Sequence, residues 1–311
     1  MTDCTFTSNT ANEGGGSIQW NGANGTISSS TFKDNTGRWG GAVYWGGANG
    51  VVTSSKFTNN TAKDYGGAVY WNKNALKGHL SNCNFTTNNA NLGGGAVIWY
   101  GINGILTSST FTNNYVNATS GGGGAIWCNG TNFTISNSIF TNNIAQYGAG
   151  ILWLSPNGNL SGSTLTGNSA TTWGGGIYWD GANGCISDSI FTNNTANDGG
   201  GGVRWAGPNG KITTSSFTGN ICNGWGGGAI SWRLAGSITN CNFAKSKWDK
   251  SKSNGIRADN DLIINGGNGI VDIIISGTLT GTSIIVLNNE TYYYPPNTNI
   301  NFIYSLDNHK T

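Results

Sequence analysis

The chain has 311 residues, of which 52 are Gly and 46 are Asn, and its formal net charge at pH 7 is +2. Only 9% of the residues are charged and 11% are aromatic, which excludes an intrinsically disordered chain, since such chains are rich in charge and poor in aromatics. With 4 Pro, no Gly-X-Y period and no long apolar run, the chain is neither collagen-like nor membrane-spanning, and its many glycines disfavour helices.

The distribution of charge narrows the class of partner. No Lys or Arg occurs between Lys77 and Arg204. Nucleic-acid binding depends on neutralising phosphates with Lys and Arg, so we expect no nucleic-acid partner. We also expect no direct insertion of this segment into a membrane.

The start of the chain lacks a secretory signal. Met1 leads straight into the first copy of a repeated motif, without the apolar stretch that a signal peptide contains. The sequence is therefore expected to be a piece of a longer protein, or a protein that is not exported by that route.

The first repeated element is Phe-x-x-Asn, whose Asn recurs every 25 to 29 residues, with Leu165 replacing one Phe. In a stack of coils this spacing places the asparagines in one column, where each side-chain amide can bond to the amides above and below. We predict a structural Asn ladder at a corner of each coil, where Asn also tolerates a bent backbone. Its members are Asn9, Asn35, Asn60, Asn88, Asn114, Asn143, Asn168, Asn194 and Asn220.

The second repeated element follows each Asn and reads Gly-Gly-[Ala/Gly]-[Ile/Val]-x-Trp, with Cys128 replacing one Trp. The variable position includes Gln19 and Arg204, so it is predicted to face solvent, and strand alternation then turns the Trp inward. We predict a structural Trp stack in the core, and the alternative is a sugar-binding platform on the outside. Its members are Trp20, Trp45, Trp71, Trp99, Trp153, Trp179, Trp205 and Trp232.

Together the two elements predict the fold. Each period of about 26 residues contains three segments rich in Val, Ile, Thr and aromatics, bounded by Asn and Gly, which is typical of short strands. One such unit cannot bury its own apolar face, so units stack at about 4.8 Å. We predict an all-β, right-handed parallel β-helix of about ten coils over residues 1–258, its hand following the general crossover rule.

The period fails in residues 259–311. Ile273–Ile275, Ser283–Leu287 and Tyr292–Tyr294 are expected to form a short β cap or the beginning of a following β module.

Turn residues and cysteines fit the stack. Asn-Gly pairs such as Asn49-Gly50 follow most of the tryptophans and are strong turn signals. Cys4, Cys83 and Cys241 share a column otherwise filled by Ser and lie several coils apart, so they cannot form a disulfide with one another. No cysteines lie at metal-ligand spacing, and we expect neither a metal nor a cofactor.

The paired motifs GGAVYW and FTNN resemble the repeats of chlamydial-type polymorphic outer membrane proteins, and the Asn- and Thr-rich style resembles adhesin-like surface proteins of methanogenic archaea. The tail NGIVDIIISGTLTGTSIIVLNNETYYYPPNTNINF resembles the segment that joins such helices to Ig-like repeats. The resemblance implies a pectate-lyase-like solenoid that is exported, lies at the cell surface and acts in attachment. It carries no defined catalytic residues.

Aromatic residues outside the Trp column form the candidate binding site. They stand before the glycines or at the variable position of the second motif and are predicted to form two clusters on adjacent coils. Exposed rings suit a cell-surface glycan or a protein receptor, whereas the alternative is mutual packing under a Gly-rich loop. The candidates are Trp39, Tyr44, Tyr65 and Tyr70 in one cluster, and Tyr147, Trp173 and Tyr178 in the other.

Carboxylates decide between binding and catalysis. Glu13 and Asp64 occupy the same position two coils apart, about 9–10 Å, near the upper separation for an inverting glycosidase. No column of Lys or Arg flanks them, and turn positions favour solvated acids. The favoured function is a non-enzymatic, adhesin-like cell-surface segment. The alternative is a polysaccharide lyase, a glycoside hydrolase-like enzyme or a carbohydrate-binding module.

A column of threonines follows the Phe column and could suggest ice binding. It is broken by Lys33, and its neighbouring column is mixed, so ordinary β-propensity is the favoured interpretation.

Overall fold

The computed structural model of the chain is a parallel β-helix composed only of strands and turns in the part that it describes. The described residues are 1–117, 119, 121–224 and 226–248, followed by the strand segments 252–253, 256–258, 262–269, 272–278, 283–287, 290–294 and 299–305. This architecture confirms the predicted fold class.

Each complete coil has four short strands rather than the three predicted. In one coil they are Val51–Thr53, Lys56–Thr58, Thr61–Tyr65 and Val69–Trp71. The predicted single segment GVVTSSKF is divided because Ser54 has a φ of 50° and turns the chain between its two halves.

The strands repeat in four columns. The first strands are Thr26–Ser28, Val51–Thr53, His79–Ser81, Ile105–Thr107, Thr134–Ser136, Asn159–Ser161, Cys185–Ser187 and Gly210–Thr213. The second strands are Thr5–Thr7, Thr31–Lys33, Lys56–Thr58, Asn84–Thr86, Thr110–Thr112, Ile139–Thr141, Thr164–Thr166, Ile190–Thr192 and Ser216–Thr218, and Gly236–Ala244 spans both columns. The third strands are Thr36–Trp39, Thr61–Tyr65, Asn89–Ala90, Tyr115–Val116, Ile144–Tyr147, Ser169–Trp173, Thr195–Ala196, Ile221–Cys222 and Lys247–Trp248. The fourth strands are Ile18–Trp20, Val43–Trp45, Val69–Trp71, Val97–Trp99, Ile126–Cys128, Ile151–Trp153, Ile177–Trp179, Val203–Trp205, Ile230–Trp232 and Ile256–Ala258.

Corresponding strands of successive coils pair in parallel and in register. Phe32 lies beside Phe57 and Trp45 beside Trp71, so identical residues stack along the rod. Within the described residues the strands form three sheets of 21, 12 and 10 strands, and the first and second strands share the largest.

Each corner of a coil is turned by one residue in the left-handed region. In the coil that begins at Thr26 these residues are Ser29, Asp34, Gly40 and Asn49, with φ between 47° and 77°. The prediction that the ladder Asn itself bends the backbone is therefore wrong. The residue before it has the positive φ, and the ladder Asn turns its side chain into the core, where it is completely buried from Asn35 to Asn220.

The buried amides form a continuous ladder. Asn60 Nδ2 donates to Asn88 Oδ1 at 2.9 Å and to the carbonyl of Phe32 at 3.0 Å. Its Oδ1 accepts from the backbone N and from Nδ2 of Asn35, at 3.1 and 2.9 Å. All four hydrogen-bonding capacities of the amide are satisfied, which buried polar groups require. At Ser246, where the next Asn would stand, the buried Oγ has no partner and the ladder ends.

The Ser column forms a second inner ladder. Ser30 Oγ donates to the carbonyl of Ser28 at 2.7 Å and accepts from the backbone N of Cys4 at 3.1 Å. Cys83 replaces one Ser and keeps the pattern with its Sγ, which donates to the carbonyl of Ser81 at 3.2 Å.

The tryptophans lie in the core from Trp45 to Trp232, with parallel indoles whose centroids are 4.2–5.2 Å apart in adjacent coils. Each indole lies against a Gly of the following corner, which in most coils belongs to the Asn-Gly pair, and a Cβ at Gly50 would overlap the ring of Trp45. This Gly is required for close approach of the ring. The positive φ of the corner belongs to Asn49, so the pair is not a hairpin turn.

One coil fills the same space with two other residues. Cys128 stands in the Trp column, and Phe133 stands where the other coils have Gly. Phe133 is completely buried, and its ring lies 4.7 Å from that of Trp99 and 5.7 Å from that of Trp153. The small and large residues have exchanged positions, which the sequence interpretation missed.

The parallel register continues past the predicted boundary at residue 258. Leu262–Gly269 pairs in parallel with Gly236–Ala244, and Asp272–Thr278 pairs in parallel with Ile256–Ala258. Ser283–Leu287 pairs in parallel with Leu262–Gly269 and antiparallel with Glu290–Tyr294, and Asp272–Thr278 pairs antiparallel with Asn299–Ser305. The assignment of residues 259–311 to a cap or a following module stays a prediction.

All six cysteines are free thiols. Burial raises the pKa of Cys83 to about 12 and those of Cys222 and Cys241 to about 11, and it also raises the pKa of Cys128. These four thiols are neutral near pH 7 and act as small packing residues, since the thiolate is the reactive form. Unfolding frees them to ionise at lower pH, so their contribution to stability is lost as pH rises from about 9 towards 12.

Replacing an inner ladder residue should be strongly destabilising. Asn143→Ala removes four buried hydrogen bonds, two donated by the backbone N and Nδ2 of Asn114 and two accepted by the carbonyl of Phe111 and Oδ1 of Asn168, and each buried group left without a partner costs about 1–3 kcal/mol. We expect the free energy of unfolding, measured by urea denaturation, to fall by at least about 3 kcal/mol.

The matched control is Asn157→Gly in the exposed Asn-Gly column. Asn157 Nδ2 donates to Asn132 Oδ1 at 3.1 Å on the surface, and Gly tolerates its φ of 58°. A change of within about 0.5 kcal/mol is expected there. Equal losses in both variants would contradict the dominant role of the inner ladder.

The exchanged pair can be tested by restoring the common pattern. Cys128→Trp alone should destabilise the protein because Phe133 occupies the space of the indole, and Phe133→Gly alone should leave a cavity. The double variant should be more stable than the sum of the single effects by at least about 1 kcal/mol, measured by urea denaturation. Additive effects would show that the two residues do not share one space.

Candidate binding surface

The candidate site lies on the outside of the corner between the third and fourth strands. Parallel bridges align the residues that end the third strands, and this column reads Trp39, Tyr65, Gly93, Gly122, Tyr147, Trp173 and Gly199. The variable residue of each fourth strand lies beside it. We call the half-buried aromatic residues of this corner the aromatic band: Trp39, Tyr44, Tyr65, Tyr70, Tyr100, Trp127, Tyr147, Trp173 and Tyr178.

The prediction that the variable column faces solvent is wrong for part of its length. Ile98, Leu152 and Ser231 are buried although they point away from the core stack. For Leu152 the reason is Gly122, which has no side chain. Leu152 packs into the space that a Cβ of residue 122 would occupy. At these three positions the side chains point away from the core stack but are covered by neighbouring residues.

At the N-terminal end of the band, the structure brings three of the four predicted aromatics together. Tyr44 and Tyr70 stack with centroids 5.3 Å apart and planes inclined by 11°, and Trp39 lies 6.4 Å from each. Tyr100 joins them 5.6 Å from Tyr70, and Asn72 Nδ2 donates to the hydroxyl of Tyr44 at 2.8 Å. We call Trp39, Tyr44, Tyr70 and Tyr100 the N-terminal cluster.

The fourth predicted member, Tyr65, contacts a different aromatic ring. It meets Trp127 edge-on at 5.8 Å, two coils further along. The intervening residue of its column is Gly93, and a Cβ there would overlap the Trp127 ring, so the indole lies over this glycine. Sequence reasoning left Trp127 out of both clusters because the two rings are separated by a coil. It missed Tyr100 because this residue follows Trp99 and belongs to neither aromatic column.

At the C-terminal end of the band, all three predicted residues meet. The centroids of Tyr147, Trp173 and Tyr178 lie 5.3–6.2 Å apart, and their planes are inclined by 42–62°. Trp173 Nε1 donates to Asp198 Oδ2 at 3.1 Å, which fixes the orientation of the indole. We call these three residues the C-terminal trio.

Burial favours the neutral form of three phenols of the band. It raises the pKa of Tyr70 above its ordinary value, with smaller increases from Tyr100, Tyr44 and Tyr65. Burial also raises the pKa of Tyr100, and it raises the pKa of Tyr178. The hydroxyl groups therefore serve as neutral donors and acceptors at physiological pH.

The acidic pair considered for catalysis is joined by a single cation, although no column of basic residues flanks it. Arg38 lies on the coil between them and donates through Nε to Asp64 Oδ2 at 2.9 Å and through Nη1 to Glu13 Oε1 at 2.8 Å. Its guanidinium also lies 4.7 Å from the centroid of the Trp39 ring. Sequence reasoning missed this bridge because Arg38 occurs in one coil only. Both carboxylates are thereby engaged in an ion-pair network that borders the N-terminal cluster.

Two kinds of feature are absent from the part of the chain that the structure describes. It contains no helix with the length and hydrophobicity needed to cross a bilayer. It also contains no group of three His, Cys, Asp or Glu side chains placed to hold a metal ion.

Family models match two parts of the chain. A model described as a right handed beta helix region matches residues 1–140, in agreement with the predicted handedness. The Chlamydia polymorphic membrane protein repeat matches residues 162–178 and 188–204, each running from a second strand through a ladder Asn to a fourth strand. This match confirms the predicted resemblance to such repeats. No curated protein and no solved structure gives a significant match.

The ion-pair network should make a small, salt-dependent contribution to stability. Arg38→Gln is expected to lower the thermal unfolding midpoint by a few degrees at most at low salt, because exposed ion pairs are weak and screened. Lys73→Gln, at an exposed position, makes the same change in net charge and is the control. Circular dichroism melts at increasing NaCl should show the Arg38→Gln difference shrinking, and an undiminished difference would contradict this view.

Proposed function

We propose that this β-helix is a non-enzymatic, adhesin-like segment of a cell-surface protein, and that its aromatic band binds a glycan or a protein receptor. The observation that carries the proposal is the band itself. It places nine half-buried aromatic side chains along one corner of the rod, from Trp39 to Tyr178. Aromatic residues contribute large contact areas and dominate the energetics of interfaces.

The similarity to Chlamydia polymorphic membrane protein repeats supports a surface location. The name of that family refers to membrane proteins, and its repeats coincide here with the coils that carry Trp173 and Tyr178. The similarity of the Asn- and Thr-rich sequence to adhesin-like surface proteins of methanogenic archaea points in the same direction.

A polysaccharide-active enzyme or carbohydrate-binding module is the alternative. The only acidic pair that the sequence offered for catalysis, Glu13 and Asp64, shares the guanidinium of Arg38. Glycoside hydrolysis requires one carboxyl to act as an acid while the other acts as a base or nucleophile. Here both carboxylates form ion pairs with the same guanidinium, an arrangement that gives them the same role and supports binding rather than catalysis.

The test compares cell and glycan binding by the protein and two double variants. Trp39→Ala with Trp173→Ala removes one large ring from each end of the band. The control variant, Ile139→Ala with Ile190→Ala, removes two exposed side chains from second strands outside the band. Ile139 is 46% exposed and Ile190 is 48% exposed. We expect the first variant to bind intact cells or arrayed glycans about tenfold more weakly or worse, and the second to bind like the parent protein.

Two outcomes would contradict the proposal. One is unchanged binding by the Trp39→Ala, Trp173→Ala variant when circular dichroism shows that it is folded. The other is release of reducing ends from pectin, alginate or mucin glycans that disappears in Asp64→Ala, because this would show an enzyme.

A further inference from the structure

The two ends of the aromatic band differ in how their ring faces are used. In the N-terminal cluster, Tyr44 and Tyr70 cover each other by stacking, and the Arg38 guanidinium lies over Trp39. In the C-terminal trio, no two of the three rings are parallel, with inclinations of 42°, 47° and 62°. Inclined rings in edge or tilted contact leave faces uncovered by one another, and a flat sugar face can pack on such a ring.

Charged groups of both signs surround the trio. Asp198 accepts from the Trp173 indole at 3.1 Å. Arg204 pairs with Tyr178 in the register of the fourth strands, and Asp180 follows Tyr178 by two residues. Burial is the main cause that raises the pKa of Tyr178, Asp180 raises it further, and Arg204 and Arg233 lower it. Carboxylates accept hydrogen bonds and guanidinium groups donate several in a fixed plane. A few polar groups placed beside an apolar aromatic surface are the usual composition of a small-ligand site.

The charge balance selects the ligand class. Two carboxylates and two guanidinium groups cancel formally, and Arg204 already donates to the hydroxyl of Ser231. The sequence from Lys77 to Arg204, which includes Tyr147, Trp173 and Tyr178, adds no other cation. A polyanionic chain such as a polyuronate would require an excess of positive charge, whereas hydroxyl groups can pair with either sign.

We propose that the C-terminal trio, with Trp173 as its platform and Asp198 beside it, is a binding site for a neutral glycan. The site rests on the proposed binding function of the aromatic band and makes it specific. The sugar packs on the Trp173 ring, and its hydroxyls exchange hydrogen bonds with the surrounding carboxylates and guanidinium groups. The N-terminal cluster, in which Tyr44 stacks on Tyr70 and the Arg38 guanidinium lies over Trp39, contributes less.

The experiment uses the whole chain and defined oligosaccharides. Neutral probes are the hexasaccharides of cellulose, laminarin, mannan and xylan, and acidic probes are oligogalacturonate and hyaluronan fragments, all titrated by calorimetry. Variants are Trp173→Ala, Trp173→Phe and Trp39→Ala, with Ile190→Ala as the control outside the band. Circular dichroism and thermal melting verify the fold of each variant.

We expect at least one neutral probe to bind and no acidic probe to bind more tightly. Trp173→Ala should weaken binding about tenfold or more, and Trp39→Ala should weaken it less. Trp173→Phe keeps a ring face but loses the N–H that donates to Asp198, so an intermediate loss of affinity is expected. Ile190→Ala should bind like the parent protein.

Three results would overturn the inference: binding of acidic probes only, binding that Trp173→Ala leaves unchanged, or binding of no neutral probe. The proposed function would survive each of them if the Trp39→Ala, Trp173→Ala variant still loses cell binding. The proposed function fails only if that double variant binds cells unchanged or if the protein releases reducing ends from a glycan, so the two failures are distinguishable.

Discussion

The structure depends on the hydrogen-bonded column of buried Asn side chains. Each inner amide uses both of its donors and both of its acceptor positions, and it bonds to the coils before and after its own. An unpaired buried amide would be costly, so each coil is held at the spacing and register that complete the column. The in-register stacking of Phe, Trp and Ser follows from this constraint. The low charge of the chain also follows, because most positions are core, ladder or tight corner.

Shape complementarity between columns is the second level of organisation. The Trp stack fits only because the next corner has a Gly, without a side chain, against each indole, and the coil with Cys128 and Phe133 shows that the two positions share one volume. The same principle operates on the surface. Where the third-strand column has Gly93 or Gly122, Trp127 or Leu152 occupies the space, and where it has an aromatic residue, rings accumulate. The positions of the glycines in this column therefore determine which side chains of the aromatic band lie together.

Positions that repeat in every coil could be predicted from the sequence, whereas contacts that single residues make between coils could not. A parallel stack places equivalent positions next to each other, so the Asn and Trp columns could be predicted from spacing alone. The left-handed corner at Ser54 could not, because no residue type is constant in that column. The Arg38 bridge between Glu13 and Asp64 and the contact of Tyr65 with Trp127 depend on side-chain direction and on one glycine. In the candidate site, the C-terminal trio was predictable because its members lie on adjacent coils.

The inner Asn ladder also gives the rod a chemical direction. From Asn9 to Asn194 each ladder amide donates through Nδ2 to the ladder Asn of the following coil, and from Asn35 to Asn220 each accepts through Oδ1 from the preceding one. The amide dipoles are therefore aligned head to tail, as peptide dipoles are in a helix, and each bond polarises the next. The two ends of the ladder are not equivalent as templates: a unit continuing it before Asn9 must supply donors, and one continuing it after Asn220 must supply an acceptor.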